Sequence, residues 1–172
     1  MSIEQVILVD EHDNELGVME KMEAHQKGLL HRAFSVFIFN KNNQLLLQQR
    51  SLNKYHSAGL WTNTCCSHPR ENETILQAAN RRLKEEMGIE CQLSIKHKFI
   101  YCTPFENGLT EHELDYIVTG ISSVEPKLNT NEVSNYKWVG LDYLLEDVNN
   151  NPNNYTSWFK IILEESYNYL TV

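Results

Sequence analysis

The segment 74–87, "TILQAANRRLKEEM", constrains the fold most, because its apolar residues recur at the spacing of a helix. Residues three or four positions apart share one helix face. The apolar positions are Ile75, Leu76, Ala79, Leu83 and Met87. Thr74 with Gln77 fits a capping box at the start, and Gly88 fits a C-terminal stop. The pattern therefore predicts an amphipathic helix that packs one face on a core.

Short strands and turns fill most of the remaining chain. We predict a strand, a polar turn and a second strand over 5–21, and a strong hairpin around "NKNN" over 31–51. The polar stretch 52–64 predicts a loop with a short strand.

The second half of the chain continues this alternation. The further predicted segments are strands at 97–104 and 112–121 around the turn "ENGLTE", a strand and short helix over 136–148, a loop at 149–154 and an amphipathic helix over 156–170. Strands flanked by helices indicate the α/β (α+β) class, a layered domain with a mixed β-sheet flanked by helices. The length, 172 residues, fits one domain spanning 1–172.

Charge and composition exclude several classes of protein. The formal net charge is -8 with no basic stripe, which disfavours nucleic acid as a partner. No stretch is long and apolar enough to predict a membrane span, and acidic residues interrupt the N-terminal apolar run, unlike a signal peptide. Four cysteines without a signal favour free thiols in a reducing compartment, so we expect a cytoplasmic protein.

A pattern of residues that begins at Ser67 runs through a loop and into the predicted helix. Its positions are Ser67, Glu73, Arg81, Arg82, Glu85, Glu86, Gly88 and Ile89. A loop entering a helix N-terminus favours anions. We expect Glu85 and Glu86 to point inward, where two carboxylates can hold Mg²⁺ against a diphosphate. The alternative is a solvated helix with Arg81–Glu85 and Arg82–Glu86 ion pairs.

Residues outside this motif can form a metal site. His25 and His31 precede the first hairpin strand, and "CCSHP" adds His68. In an extended segment, Glu111 and Glu113 share a face and His112 points away. Three imidazoles and two carboxylates would give a five-ligand divalent-metal site with one open position.

The motif from Ser67 resembles the Nudix box, with Ser67 in place of Gly and Arg82 in place of the Glu of Arg-Glu. An Arg at that position would bind phosphate better than metal. The whole set resembles the type I isopentenyl-diphosphate isomerases, a Nudix-fold family in which both departures are at home. The resemblance runs from "MEKMEAH" through "LHRAFSVFIFN", "QQRSLNKYHSAGLWTNTCCSHP", "AANRRLKEEMGI" and "TEHELDY" to "TSW".

The resemblance implies interconversion of isopentenyl and dimethylallyl diphosphate through a carbocation-like species. It implies a thiol, Cys66, and a carboxylate, Glu113, as the proton-transfer groups, with Tyr101 assisting the carboxylate. Strand alternation agrees with this choice of cysteine, because Cys66 would share a face with His68 while Cys65 faces away and packs. Which of Cys66 and Glu113 donates the first proton stays open at this stage.

The resemblance also implies the remaining contacts. The metal ligands implied are His25, His31, His68, Glu111 and Glu113, with Mn²⁺, Zn²⁺ or Mg²⁺ all compatible. A second ion, Mg²⁺, would be held by Glu86 and the carbonyl of Cys66 and would bridge to the diphosphate. The implied substrate contacts are Lys21, Arg50, Lys54, Ser67 and Arg82 for the diphosphate and Trp158 for the prenyl tail. No role follows for His12, His56, His97 or His112, and we expect Cys91 and Cys102 to be buried small hydrophobes.

Two alternatives stand beside the isomerase. One is a Nudix hydrolase of a nucleoside diphosphate derivative, which Arg82 and the unneeded histidines disfavour. The other is a non-catalytic module that binds metal or prenyl phosphate, which the presence of both Cys66 and Glu113 disfavours. The partner expected in the isomerase case is a small prenyl diphosphate, and the sequence gives no oligomeric state.

Overall fold

The computed structural model describes residues 4–105 and 107–170, and Glu106 of the predicted "ENGLTE" turn lies outside them. The strands are β1 (Gln5–Val9), β2 (Glu15–Glu20), β3 (His31–Phe39), β4 (Gln44–Arg50), β5 (Trp61–Thr62), β6 (Cys65–Ser67), β7 (Leu93–Pro104), β8 (Thr110–Ile121) and β9 (Val133–Gly140). The helices are α1 (Lys21–Lys27), α2 (Ile75–Met87), α3 (Leu141–Asn150) and α4 (Ser157–Leu170), with a 3₁₀ turn at Pro152–Asn154.

The strands form one mixed sheet with β3 near its middle. Strand β3 runs parallel to β8, with His31 opposite Glu113 and Phe39 opposite Ile121, and β8 pairs antiparallel with β7. Strand β4 pairs antiparallel with β9 and with the short β5. Parallel pairing of two strands so distant in sequence brings His31 beside Glu113, which no local pattern shows.

The predicted hairpin over 31–51 is wrong as a continuously paired unit. Its turn forms, but β3 and β4 are paired only at Phe39 and Leu45. Beyond that pair the strands part, and Thr64 bridges them by donating to the Leu46 carbonyl at 2.6 Å and accepting from the Ile38 amide at 2.9 Å. The strands separate because β6 pairs with β3 and β5 pairs with β4.

Two apolar layers cover the sheet. Helix α2 packs Leu83 and Met87 with Val36 and Ile38 on one face. On the other face, α3 and α4 pack against the remaining core residues, among them Phe37, Phe39, Leu144, Phe159 and Ile162. This layered arrangement of a mixed sheet between helices confirms the predicted fold class.

Helix α2 has the predicted ends. Thr74 Oγ1 accepts from the Gln77 amide at 3.2 Å, and Gln77 Oε1 accepts from the Thr74 amide at 2.9 Å. Gly88 ends the helix in the left-handed region of backbone conformation, at φ 65°. The two i, i+4 ion pairs of the alternative interpretation also form, Arg81–Glu85 at 3.5 Å and Arg82–Glu86 at 2.5 Å.

We expect Thr74→Ala to lower the free energy of unfolding by about 1 kcal/mol, because the exposed N-cap bond to the Gln77 amide is lost. Urea unfolding of the two proteins measures the difference. Thr74→Ser keeps the oxygen and should match the unsubstituted protein. An unchanged midpoint for the alanine variant would show that this cap contributes nothing.

Several local predictions need correction. Segment 21–27 forms α1, capped by Glu20, and His31 is the first residue of β3 rather than a residue before it. The loop prediction for 149–154 is wrong in part, because α3 extends to Asn150 and a 3₁₀ turn follows. Cys102 is exposed rather than buried, because its side chain points away from the core on β7, and Cys91 is half-buried.

None of the helices in residues 4–105 and 107–170 is long and apolar enough to cross a membrane.

Candidate active site

A cavity of about 610 Å³ opens where β3 and β4 part. It lies among α1, the loop after β4, β6, α2, β8 and the first turn of α4. Except for His31 and Glu85, all of the predicted site residues line it, namely Lys21, His25, Arg50, Lys54, Cys66, Ser67, His68, Arg82, Glu86, Tyr101, Glu111, Glu113 and Trp158. His31 is fully buried and contacts the rings of His25 and His68, with ring centroids 4.8 and 5.1 Å apart. The fold therefore gathers residues that the sequence spreads over 138 positions, from Lys21 to Trp158.

Four of the predicted ligands form a compact metal-capable group. One ligand atom from each of His25, His31, His68 and Glu113 lies within 4.8 Å of the others. Glu113 Oε1 lies 3.1 Å from His68 Nε2 and 3.5 Å from His31 Nε2. Among the described residues, His68 Nδ1 is buried without a hydrogen-bond partner. Imidazole nitrogens around a carboxylate fit a divalent metal ion.

Backbone carbonyls orient two of the imidazoles. His25 Nδ1 lies 2.7 Å from the Lys21 carbonyl and His31 Nδ1 lies 2.8 Å from the Leu29 carbonyl. A carbonyl oxygen only accepts, so each Nδ1 must carry the proton and each Nε2 keeps its lone pair. Both Nε2 atoms are therefore available as ligands.

The pKa shifts of His25, His68 and Glu113 favour the protonation states that bind a cation. Burial and the neighbouring His68 and His31 lower the pKa of His25 to about 4. Burial also lowers the pKa of His68, against the opposing effect of Glu113. Burial alone would favour neutral Glu113, but the imidazoles of His68 and His31 hold the pKa of this carboxyl well below its ordinary value. Neutral imidazoles and an ionised carboxylate are the forms that bind metals.

Glu111, the fifth predicted ligand, lies beside this group rather than within it. Its Oε2 accepts from Tyr101 Oη at 3.2 Å, and its Oε1 lies 3.7 Å from His56 Nε2. Burial and the charge of Glu113 raise the pKa of Glu111 well above its ordinary value. Two neighbouring carboxyl groups whose pKa values are shifted in opposite directions can act as one acid and one base.

The predicted proton-transfer groups meet on the cavity wall. Tyr101 lies opposite Glu113 in the β7–β8 register, and its Oη donates to Glu113 Oε2 at 2.6 Å. Cys66 also faces the cavity, where burial and the nearby Asp115 raise the pKa of its thiol to about 12. Cys65 points to the opposite face and is fully buried in the core under α2. The predicted difference in facing between the two cysteines is confirmed.

The cationic end of the cavity is neutralised by acids of the same chain. Lys21 pairs with Glu4 at 3.0 Å and Lys54 pairs with Glu132. Arg50 lies with its Cζ 5.0 Å from the Trp158 ring centroid, a cation–π contact at the junction between the polar and apolar parts of the cavity.

Arg82 forms an ion pair with the buried carboxylate of Glu86. Its Nη2 donates to Glu86 Oε1 at 2.5 Å, and Glu86 Oε2 also accepts from Gln48 Nε2 at 2.8 Å. Burial opposes the charge on Arg82, yet Glu86 raises the pKa of the guanidinium. The prediction that Glu85 also points inward is wrong, because Glu85 is exposed and pairs with Arg81 and Arg82.

Sequence reasoning missed several cavity residues. His56, which received no role, lines the cavity between Phe105 and Trp158, with ring centroids 4.6 and 5.6 Å away. Ser35 and Asp115 form a buried pair beside Cys66, with Ser35 Oγ donating to Asp115 Oδ2 at 2.9 Å. The available signal for Ser35 was a polar residue inside the otherwise apolar run "AFSVFIF". The fold and the site together define a Nudix-type α/β protein with a metal-capable centre beside a small-anion pocket.

Comparisons with known proteins agree with this class. The NUDIX domain family matches residues 29–159. An isopentenyl-diphosphate Delta-isomerase 2 of Aromatoleum aromaticum is 51% identical over 161 residues, covering 94% of this chain and 85% of the relative. A second, from Photorhabdus laumondii, is 52% identical over 160 residues, covering 93% of this chain and 90% of the relative. The chain belongs to the Nudix superfamily and, within it, to the type I isopentenyl-diphosphate Delta-isomerases.

Solved structures show the same fold at lower identity. A Deinococcus radiodurans crystal structure superposes with a TM-score of 0.75 at 19% identity and covers 92% of this chain and 97% of its own. A MutT protein from Methanosarcina mazei gives a TM-score of 0.65 at 21% identity, covering 79% and 91%. These similarities support the fold alone.

Proposed function

We propose that the cavity interconverts isopentenyl diphosphate and dimethylallyl diphosphate. The observation that carries this proposal is one cavity that holds a thiol, a tyrosine-bonded carboxylate and a metal-capable group together with lysine and arginine side chains. The relatives at about half identity bear the name of this activity. We propose that residues 1–172 form one domain, since side chains from Lys21 to Trp158 line this one cavity.

The reaction moves a double bond by adding one proton and removing another. A proton is added to the terminal carbon C4 of isopentenyl diphosphate, which leaves positive charge at the tertiary carbon C3. Loss of a proton from C2 then forms the new double bond. One group must donate and another accept, and each must be held within reach of its carbon.

Cys66 and Glu113 serve as these two groups, and the Tyr101 hydroxyl lies between Glu111 and Glu113 on β8. The Tyr101 hydroxyl donates to Glu113 and also reaches Glu111, so a proton can pass along this edge of the cavity. In either order the total number of protons on the protein is unchanged, but the donor ends deprotonated and the acceptor ends protonated. A proton must then return from the acceptor to the donor, through Tyr101 or solvent, before the next turnover.

The metal-capable group controls the charge of Glu113. We propose that His25, His31, His68, Glu111 and Glu113 hold one divalent ion, for which Mn²⁺, Zn²⁺ and Mg²⁺ are candidates. A bound divalent ion supplies positive charge that stabilises ionised carboxylates and lowers the cost of burying them. Burial of His31 at 0% exposure keeps this group fixed against the sheet.

The substrate diphosphate lies at the cationic end. We propose that Lys21, Arg50, Lys54, Ser67 and Arg82 contact its oxygens. Glu86 and the Cys66 carbonyl would hold a Mg²⁺ ion, whose positive charge would help to bind the diphosphate. To reach Lys21 and Lys54 the diphosphate displaces Glu4 and Glu132 from their ion pairs. The tail then lies toward Trp158, whose ring face can stabilise positive charge at C3.

Hydrolysis of a nucleoside diphosphate derivative is disfavoured by the same geometry. Arg82 adds a positive charge beside Glu86, and Glu85 is exposed and pairs with Arg81 and Arg82. The helix therefore presents one inward carboxylate where a hydrolytic metal site would need several.

The proposal is tested by incubating the protein with isopentenyl diphosphate and Mg²⁺ and following both product and phosphate. Formation of dimethylallyl diphosphate without release of phosphate supports the isomerase. Release of phosphate would indicate the hydrolase, and binding without any conversion would indicate a non-catalytic module.

We expect Arg82→Ala to raise the KM for isopentenyl diphosphate by about 10–100-fold, because one charge-assisted hydrogen bond to the diphosphate is lost. Steady-state kinetics measure the change, with Arg32→Ala as the matched control. Arg32 pairs with Asp13 and Glu15 and does not line the cavity. An unchanged KM in the Arg82 variant would remove this residue from the diphosphate site.

A further inference from the structure

Asn63 is a fully buried amide placed beside the thiol of Cys66. Its Nδ2 donates to the Val36 carbonyl at 3.2 Å and to the Cys65 carbonyl at 3.0 Å. Because carbonyl oxygens only accept, these two bonds fix which end of the amide is nitrogen. The amide oxygen is thereby aimed at the opposite side, toward Cys66.

The amide oxygen of Asn63 accepts two hydrogen bonds on that side. Cys66 Sγ lies 2.9 Å from Asn63 Oδ1 as donor, and Thr62 Oγ1 donates to the same oxygen at 2.9 Å. Thr62 in turn accepts from Thr156 Oγ1 at 3.0 Å, just before α4. The sulfur is thus tied to a chain of hydrogen bonds that joins β3, β5, β6 and the start of α4.

The second polar neighbour of the sulfur is Ser35. It lies opposite Cys66 in the β3–β6 register, with its Oγ 3.8 Å from Sγ and its proton directed to Asp115 at 2.9 Å. Two fixed oxygens therefore flank one thiol, and both are carried by backbone that the sheet holds rigid.

We propose that Asn63 is a positioning residue that holds the Cys66 sulfur in the orientation needed for proton transfer. The inference rests on the proposed function, in which Cys66 exchanges a proton with C2 or with C4. A sulfur held in one orientation reaches one of the two hydrogens at C2, or one of the two methyl groups of dimethylallyl diphosphate. A sulfur free to rotate reaches both, and it spends less time in the productive geometry.

The test compares Asn63→Ala with Thr64→Ala, a matched control. Thr64 is the next residue, is fully buried and also bridges strands, but its hydroxyl bonds Leu46 and Ile38 rather than Cys66. We expect Asn63→Ala to lower kcat by about 10–100-fold with KM within about threefold. After equilibration in D₂O, either the isopentenyl diphosphate recovered from Asn63→Ala should carry deuterium at both C2 positions, or the dimethylallyl diphosphate should carry it in both methyl groups. The unsubstituted protein and Thr64→Ala should label one position of each pair.

Asn63→Ser is the second variant. Its hydroxyl can still donate to a strand carbonyl, which aids folding, but it ends one bond short of the amide oxygen. We expect the same scrambling of label. Unscrambled label in a folded Asn63 variant, whether or not kcat falls, would overturn the positioning role. Failure of the proposed function looks different, because the unsubstituted protein would then form no dimethylallyl diphosphate, or Cys66→Ala would retain turnover.

Discussion

Cys66→Ala should abolish formation of dimethylallyl diphosphate, whereas Cys65→Ala should retain most of it. Cys66 faces the cavity, and its removal takes away one of the two groups between which protons are exchanged. General acid–base groups contribute about 10²–10⁴-fold to rate, so the loss of one should reach at least that range. Steady-state rates with isopentenyl diphosphate measure both variants.

Cys65→Ala is the control for disturbance of this segment. Its fully buried side chain packs under α2, so truncation should lower the thermal midpoint more than it lowers the rate. If Cys65→Ala were the inactive variant and Cys66→Ala the active one, the assignment of the thiol to the cavity face would be wrong.

His31→Ala should remove both the bound divalent metal and the turnover. His31 is fully buried, its Nε2 points at Glu113, and its Nδ1 is held by the Leu29 carbonyl. Loss of even an outer-shell partner typically costs about 10–100-fold in metal affinity or activity, and loss of a ligand should cost more. Elemental analysis after dialysis, together with the rate at saturating substrate, measures the two losses.

His97→Ala is the matched control, because His97 stacks on Tyr169 with ring centroids 4.2 Å apart and does not line the cavity. It should keep metal and rate. Metal retained at full stoichiometry in His31→Ala would contradict the assignment of this group as the metal centre.

Local patterns predicted the elements whose ends carry their own signals. Helix α2 has a capping box at Thr74 and a glycine stop at Gly88, so its bounds could be found from the sequence. The bounds of helix α1 could not be found in this way. The helix is only seven residues long, and its N-cap is Glu20, an unusual residue at that position. Its first residue, Lys21, therefore looked like the end of a strand.

Long-range pairing decides what the local patterns leave open. The segment 31–51 looks like a hairpin because a turn joins two apolar runs, yet β6 takes the place of β4 along most of β3. The other edge of β3 pairs with β8, about eighty positions further along. The pairing with β8 places His31 beside Glu113, and the pairings of β6 with β3 and of β5 with β4 open the cavity between β3 and β4. Strand alternation did identify the facing of Cys66, since it depends only on neighbours in sequence.

The residues around Cys66 were missed for the same reason. Asn63 and Thr62 are ordinary polar residues in "WTNT", and Ser35 lies 31 positions away on another strand. Ser35 reaches the thiol only through the β3–β6 register. The contact of Asn63 with Cys66 depends on the backbone between β5 and β6, two short strands that pair with β4 and β3. The inward direction of Glu85 was predicted wrongly because adjacent helix residues lie about 100° apart, so a neighbour of buried Glu86 can be exposed.

The exchange of protons with solvent tests the central claim most directly. The protein is incubated with isopentenyl diphosphate and Mg²⁺ in D₂O, and the product is examined by proton and deuterium NMR. The account predicts dimethylallyl diphosphate that carries deuterium in the methyl group formed from C4. Product free of deuterium would mean that hydrogen moves within the substrate, and release of phosphate would mean hydrolysis; either result would contradict proton transfer through Cys66 and Glu113.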